Sequence, residues 1–135
     1  MPDTFQLEIV TPEKMVVKDV VEEAQIPGSN GYLGILPGHA PLITELAVGE
    51  ITYRNNGVIH HLAVAWGFAE VLPDKVTILA ESAERPDEID KHRALESKQR
   101  AEERLKSGST EVDYTRAQDA LQRAETRLQV AGEKT

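Results

Sequence analysis

Histidine is the residue type in this sequence that could do the most chemistry, because it can act as a general base or bind a metal ion. The chain has four histidines. His60 and His61 are adjacent in a segment that predicts a β-strand, where neighbouring side chains point to opposite faces, so they form no chelating pair. His39 lies in a Pro-Gly loop and His92 in a helical segment, and neither has an evident catalytic partner. The sequence therefore predicts no metal site.

The glycine-rich segment 27–34, PGSNGYLG, is the nearest approach to a nucleotide-hydrolysing motif. It lacks the Lys-Ser/Thr pair of a P-loop and the spacing of a dinucleotide-binding loop, and it runs toward prolines instead of into a helix. The chain has no cysteine to serve as a nucleophile or thiolate ligand, and no serine lies in a nucleophile elbow. We therefore expect a protein without catalytic activity of its own.

The charge distribution divides the chain into two parts. Residues 1–84 contain 12 acidic and 4 basic side chains, whereas residues 85–135 contain 11 of each. An acidic first part repels phosphate backbones, so we expect no binding of nucleic acid. The sequence shows neither a signal peptide nor an apolar run of the ~20 residues that a membrane span needs, and this predicts a soluble intracellular protein.

Residues 1–84 have the pattern of a β-sandwich, which would serve as a docking domain. Short apolar segments with period-two alternation are separated by Pro, Gly, Asn and Asp, and the Asn-Asn-Gly sequence at 55–57 indicates a tight hairpin turn. The strand-like segments are 5–10, 15–17, 20–26, 33–36, 50–53, 58–65, 67–72 and 76–79. This many short strands with close turns predicts two antiparallel sheets packed face to face.

Residues 85–135 have the pattern of two helices. Asp87 is the expected N-cap of the first helix, which runs without Gly or Pro to Lys106. Residues 107–109 break it, residues 110–113 (TEVD) have the form of a capping box, and the second helix continues to about Val130. The predicted fold is therefore α+β: an N-terminal antiparallel β-sandwich followed by a C-terminal antiparallel two-helix hairpin.

The apolar seams of the two helices are thin. They consist of Ala94, Ala101 and Leu105 on the first helix and Tyr114, Ala117, Leu121, Ala124 and Leu128 on the second. Alanine buries little apolar surface to set against the entropy of ordering the chain. We therefore expect a hairpin of marginal stability that can adopt more than one arrangement, and the alternative is a permanently docked appendage.

Three segments resemble the epsilon subunit of F-type ATP synthases. Segment 31–42, GYLGILPGHAPL, is similar to the signature loop of that family. Segment 89–94, IDKHRA, resembles the motif that opens its first C-terminal helix, and segment 113–117, DYTRA, resembles the start of its second. The likeness covers essentially the whole chain in order, and it suggests a bacterial protein, of the cyanobacterial and chloroplast branch.

The resemblance implies a noncatalytic subunit of the central stalk. Such a subunit rotates with the gamma subunit, rests on the c-ring and couples ring rotation to ATP synthesis in the alpha/beta catalytic head. Its hairpin extends toward the head to inhibit ATP hydrolysis, or folds down beside the sandwich. No cofactor is required, and ATP is expected as a regulatory ligand. The location implied is peripheral, on the cytoplasmic face of the energy-transducing membrane, or on the thylakoid in a cyanobacterium.

Some members of the family bind ATP in the folded-down hairpin, and the resemblance carries seven positions over to this chain. They are Glu84, Ile89, Asp90, Arg93, Arg100, Arg123 and Arg127. In an antiparallel hairpin that turns between Gly108 and Ser109, Arg93 lies at a similar height to Arg123 and Arg127, so their guanidinium groups can converge on a triphosphate.

Ion pairing is the alternative to a nucleotide site. Asp90 lies level with Arg127 in the same hairpin, and Arg93 can pair with Glu96 or Glu125, so these charges need no ligand.

The resemblance also implies two sets of contacts with partner subunits. The interface with gamma and the c-ring corresponds to Tyr32, Gly38, His39 and Pro41, although Tyr32 replaces an acidic residue found in some relatives. The inhibitory contacts with the catalytic head correspond to Arg104, Arg116 and Arg123. A second interpretation from the residues is a free-standing β-sandwich adaptor whose hairpin recruits a helical partner. A metalloenzyme ranks third.

Overall fold

A computed structural model of the 135-residue chain describes residues 3–108 and 113–133. The strands of the described residues are β1 (Phe5–Val10), β2 (Met15–Val21), β3 (Glu23–Gly28), β4 (Gly31–Ile35), β5 (Leu42–Leu46), β6 (Gly49–Asn55), β7 (Val58–Val71) and β8 (Lys75–Glu84). A 3-10 turn (Pro86–Glu88) and two helices follow, α1 (Lys91–Lys106) and α2 (Tyr114–Ala131). This arrangement confirms the predicted α+β fold.

The strands pair in the order β2-β1-β8-β7-β5-β3-β4, and β6 pairs with both β3 and β7. All of these pairs are antiparallel except β1 with β8, which run parallel and so depart from the all-antiparallel prediction. Alternate residues of β1, Phe5, Leu7 and Ile9, are buried in the core between the sheet layers. The period-two pattern thus places the core correctly.

Strand β7 is one long strand where the sequence predicts two. Its first half pairs with β6 and its second half with β5, a short strand that the sequence analysis missed. The two halves meet at Trp66 and Gly67, whose φ angles are 47° and 136°. Adding a Cβ atom at Gly67 would place it 1.8 Å from the Leu79 carbonyl oxygen, so only glycine fits where β7 passes β8.

The predicted hairpin turn is confirmed, whereas the predicted N-cap of the first helix is wrong. Asn56 and Gly57 have φ of 51° and 78°, as a tight hairpin turn requires, which confirms the turn between β6 and β7. Asp87 is not an N-cap, because it lies inside the 3-10 turn. Asp90 caps α1 instead, since its carboxylate accepts a hydrogen bond from the Arg93 N–H at 3.0 Å.

The second helix begins at Tyr114. Its N-cap is Asp113, whose carboxylate accepts a hydrogen bond from the Arg116 N–H at 3.1 Å. The capping box expected at 110–113 lies mostly outside the described residues.

Glu88 stabilises the junction between the sandwich and the hairpin. Its carboxylate accepts a hydrogen bond from the Arg85 N–H at 3.0 Å and forms an ion pair with Lys14 Nζ at 3.1 Å. The bond from Arg85, more than the attraction of Lys14, lowers the pKa of Glu88 below its ordinary value.

The hairpin is folded down on the sandwich. The end of α2 buries Val130 and Ala131 in a small cluster with Ala63 of β7 and Ile89. We call this cluster the docking contact. Among the described residues, no helix is long and apolar enough to cross a membrane.

Replacing Gly67 by alanine should lower the free energy of unfolding by about 3 kcal/mol or more, since the new Cβ meets the Leu79 carbonyl and the backbone has positive φ. The matched control is Gly34→Ala, whose Cβ would have no atom within 4 Å. Urea unfolding measures both, and equal stabilities of the two variants would contradict this account of the β7 crossing.

Candidate functional site

A groove of about 580 Å³ lies between the two helices and the end of β8. Arginines 93, 100, 104, 123 and 127 line it together with Glu84, Ser82 and Ser97, and alanines 101, 117, 120 and 124 complete the wall. The arginines follow from helical periodicity, because positions 93, 97, 100 and 104 share one face of α1 and positions 120, 123, 124 and 127 share one face of α2. The size is that of a small-molecule site.

The groove carries an excess of positive charge. Its lining includes five arginines and one carboxylate, that of Glu84. Among residues 3–108 and 113–133, no carboxylate lies within 4.0 Å of the guanidinium groups of Arg93 or Arg123. Arg123 lies instead over the Trp66 ring, 5.1 Å from its centroid. Like charges that converge in this way favour binding of a polyanion.

Arg127 and Glu84 join the hairpin to the sandwich inside the groove. Arg127 Nη2 donates a hydrogen bond to Glu84 Oε2 at 3.2 Å. Arg127 Nε lies 2.8 Å from Glu84 Oε1 without the alignment of a hydrogen bond, and in the described part of the chain this buried nitrogen has no other acceptor. The 2.8 Å ion pair with Glu84 offsets part of the cost of burying this nitrogen.

Five of the seven candidate nucleotide positions line the groove: Glu84, Arg93, Arg100, Arg123 and Arg127. The other two have structural roles here, since Ile89 is buried in the docking contact and Asp90 caps α1. The alternative pairing of Asp90 with Arg127 is wrong, because Arg127 pairs with Glu84.

Ser82 and Ser97 line the groove but were not predicted from the sequence, and Arg104 was predicted to have another role. Helical spacing could have identified Ser97, which lies one turn from Arg93 on the same face of α1. Its side chain is uncharged, and its hydroxyl accepts a hydrogen bond from Arg100 Nη2 at 3.2 Å. Of the three candidate inhibitory residues, Arg104 and Arg123 line the groove, and Arg116 is exposed outside it.

The candidate interface loop is exposed at one edge of the sandwich. Tyr32 has 59% of its surface exposed, and its hydroxyl accepts a hydrogen bond from the Glu50 N–H at 2.9 Å. Gly38 has a φ of 83°, and its N–H binds the Pro73 carbonyl oxygen at 2.8 Å. The N–H of His39 binds the Leu36 carbonyl oxygen at 3.2 Å, and Pro41 precedes β5. These bonds fix the loop and leave its outer side free for a partner.

An apolar stripe on the outside of the sandwich was also missed. It runs across β5, β7 and β8 and consists of Ile43, Phe68 and Leu79, which are 72%, 55% and 55% exposed. Phe68 and Leu79 are direct cross-strand partners, and Ile43 lies diagonally from Phe68 on the same face. The signal available in the sequence was segment 76–80 (VTILA), in which apolar residues occupy even positions and also position 79, so that both faces of the strand carry apolar side chains.

Both parts of the chain match known protein families. The family described as "ATP synthase, Delta/Epsilon chain, beta-sandwich domain" matches residues 4–86. The family described as "ATP synthase, Delta/Epsilon chain, long alpha-helix domain" matches residues 87–132. The fold and the matched families define a sandwich-and-hairpin subunit of an ATP synthase.

Curated relatives named ATP synthase epsilon chain agree with these matches. That of Koribacter versatilis is 70% identical over 111 residues, which are 82% of this chain and 78% of the relative. That of Geotalea daltonii is 50% identical over 106 residues, which are 78% of this chain and 77% of the relative. The chain therefore belongs to the ATP synthase delta/epsilon family, which confirms the resemblance and makes it a noncatalytic subunit.

Two solved structures share the fold. A chain of the Euglena gracilis mitochondrial ATP synthase aligns with a TM-score of 0.83 over 97% of this chain and 82% of its own length, at 23% identity. A chain of the Tetrahymena thermophila mitochondrial ATP synthase, in a structure of its central stalk and c-ring, aligns with a TM-score of 0.54 over 94% of this chain and 92% of its own length, at 13% identity. At these identities the likeness concerns the fold.

Proposed function

We propose that this chain is the central-stalk subunit that couples c-ring and gamma rotation to the alpha/beta catalytic head, on the cytoplasmic face of the membrane. The observation that carries the proposal is a noncatalytic sandwich of the delta/epsilon family that leaves an apolar stripe exposed. A thylakoid location gains no support from the relatives named above, which come from other bacteria.

The apolar stripe is the surface that packs against the gamma subunit. Large side chains exposed side by side on three strands mark an interface, because water contact with them is unfavourable. The candidate loop of Tyr32, Gly38, His39 and Pro41 then contacts the c-ring and the foot of gamma. This division gives the sandwich two contacts with the rotor, as transmission of torque requires.

Phe68→Asp should reduce co-purification of the chain with gamma by at least about tenfold, because a carboxylate in the stripe would be desolvated on binding. Val58→Asp is the control, since Val58 is 48% exposed and is the first residue of β7, next to the hairpin turn. Circular dichroism verifies that both variants fold. Retention of gamma by Phe68→Asp at the wild-type level would contradict the assignment.

The hairpin serves as a conditional brake on ATP hydrolysis. Its apolar docking contact is small and alanine-rich, and the other contacts that hold it down are polar ones such as Arg127–Glu84, which water or the charges of a partner can replace on release. Once released, the exposed arginines 104, 116 and 123 can meet acidic surfaces of the head. A permanently docked appendage would need a larger buried surface.

Deletion of residues 88–135 should leave assembly of the complex intact and raise its ATP hydrolysis. The expected increase is roughly twofold or more, as for a brake engaged at least half of the time. Steady-state hydrolysis by the purified complex with the full or truncated chain measures the effect. Equal rates would remove the brake from the account.

ATP bound in the groove holds the hairpin down. Arginines 93, 100, 123 and 127 face the groove from both helices, in position to contact phosphate oxygens in pairs. The alanines of the wall leave room for a flat base, and Glu84 can accept hydrogen bonds from its amino group. No metal or other cofactor is needed for this binding.

Arg93→Ala and Arg123→Ala should each weaken ATP binding to the isolated chain by about tenfold or more, because each removes a charge-assisted contact worth about 1.5 kcal/mol or more. The matched control is Arg116→Ala, which removes an arginine of the same hairpin outside the groove. Isothermal titration measures the affinities. An absence of heat at millimolar ATP, or an equal loss in all three variants, would count against the site.

A further inference from the structure

Trp66 contacts the middle of α2. Its indole ring faces Arg123, whose guanidinium carbon lies 5.1 Å from the ring centroid. The neighbouring Gln122 donates a hydrogen bond from its side-chain amide to the Val48 carbonyl oxygen at 3.4 Å. Arg123 lies about two helical turns before Val130 of the docking contact. The hairpin therefore meets the sandwich at a second place, apart from the docking contact.

The backbone at Trp66 departs from that of a regular strand. Its φ angle is 47°, which is uncommon for a residue with a bulky side chain. Before this point the core side chains of β7 are Leu62 and Val64, at even positions, and after it they are Ala69 and Val71, at odd positions. Regular alternation would place residue 66 in the core with Leu62 and Val64. The positive φ interrupts this alternation and directs the indole ring toward α2.

The strained backbone at Trp66 points to a role for its side chain. A non-glycine residue keeps a positive φ only where the surrounding contacts hold it there. Glycine would adopt the same angle at little cost, as Gly67 does at the next position. What tryptophan adds is a large aromatic face, which is the strongest partner for a cation among the aromatic side chains. The gain from tryptophan here is therefore its contact with Arg123.

Trp66 holds Arg123 without neutralising it. In the described parts of the chain, no Asp or Glu oxygen lies within 4.0 Å of the Arg123 guanidinium. An aromatic face attracts the cation but leaves the N–H groups at the edge of the guanidinium plane available. A carboxylate at the same place would accept bonds from these N–H groups and compete with a phosphate. Arg123 is thus kept both in position and charged.

We propose that Trp66 is a positioning residue that holds Arg123, and with it the middle of α2, on the sandwich. While the contact lasts, Arg123 lines the groove together with Arg127. Release of the hairpin breaks the contact and frees Arg123 for an acidic surface. Trp66 therefore competes with the catalytic head for this arginine, a consequence that rests on the proposed function of the hairpin as a brake.

Hydrogen exchange of the full chain without nucleotide tests the role of Trp66 in docking. Trp66→Leu should speed exchange in residues 117–131 by about two- to fivefold, the range expected for a cation–π contact at an exposed site. In a chain that already carries Arg123→Ala, the same substitution should have no further effect, because the contact is already lost. Trp66→Phe keeps an aromatic face, so its exchange should lie between that of Trp66→Leu and that of the wild type.

Two controls separate this role from a general loss of stability. Exchange in β1 should be the same in all variants, whereas a less stable sandwich would exchange faster there as well. Gln118→Ala changes an exposed residue of α2 outside the groove and should leave exchange unchanged. Wild-type exchange of α2 in Trp66→Leu, the same acceleration with and without Arg123, or an equal acceleration in β1 would each overturn the proposal.

Isothermal titration of ATP gives a second readout, which depends on the proposed nucleotide site. Trp66→Leu should weaken ATP binding by about two- to fivefold, because Arg123 is no longer held at the groove. Unchanged affinity in this variant, when the wild type binds ATP, would contradict the positioning role. If the wild type binds no ATP, the proposed nucleotide site fails, and the exchange measurements still decide the role of Trp66.

Discussion

The docking contact between α2 and the sandwich is the interaction on which the other features depend. Val130 and Ala131 pack against Ala63 and Ile89, and the neighbouring Arg127 pairs with Glu84. Complete burial of a valine side chain contributes about 1.5–3 kcal/mol, and alanine contributes less. A contact of this size keeps the hairpin down when nothing competes, and a partner surface of ordinary strength can replace it.

Because the docking contact is weak, a ligand that binds next to it can determine whether the hairpin is docked or released. A ligand that binds only the docked form stabilises that form by about 2.7 kcal/mol when its concentration is 100 times its dissociation constant. This free energy is comparable with the contribution of the docking contact. The groove arginines, including Arg93 and Arg123, come from both helices, so they converge only in the docked arrangement. The unbalanced charge of the groove is unfavourable when the groove is empty, and the proposed nucleotide would relieve it only in the docked form.

Local sequence patterns predicted most of the fold and part of the site. Alternation located the core of β1, and helical spacing placed Arg93 level with Arg123, because both depend on short-range geometry. Strand β5 was missed because the preceding prolines indicate a loop, and the continuity of β7 was missed because Gly67 resembles a strand break. The pairing of Glu84 with Arg127 joins distant segments, so only the folded chain could show it.

The proposed brake requires that the hairpin move between a docked and a released state under the control of the groove. The chain has no native cysteine, so cysteines introduced at the exposed positions Asp74 and Lys106 can carry a pair of spin labels. Pulsed electron paramagnetic resonance then gives the distance distribution between sandwich and hairpin. We expect one narrow distance at saturating ATP and a second, longer distance in the gamma complex without ATP. The same single distance under both conditions would contradict it.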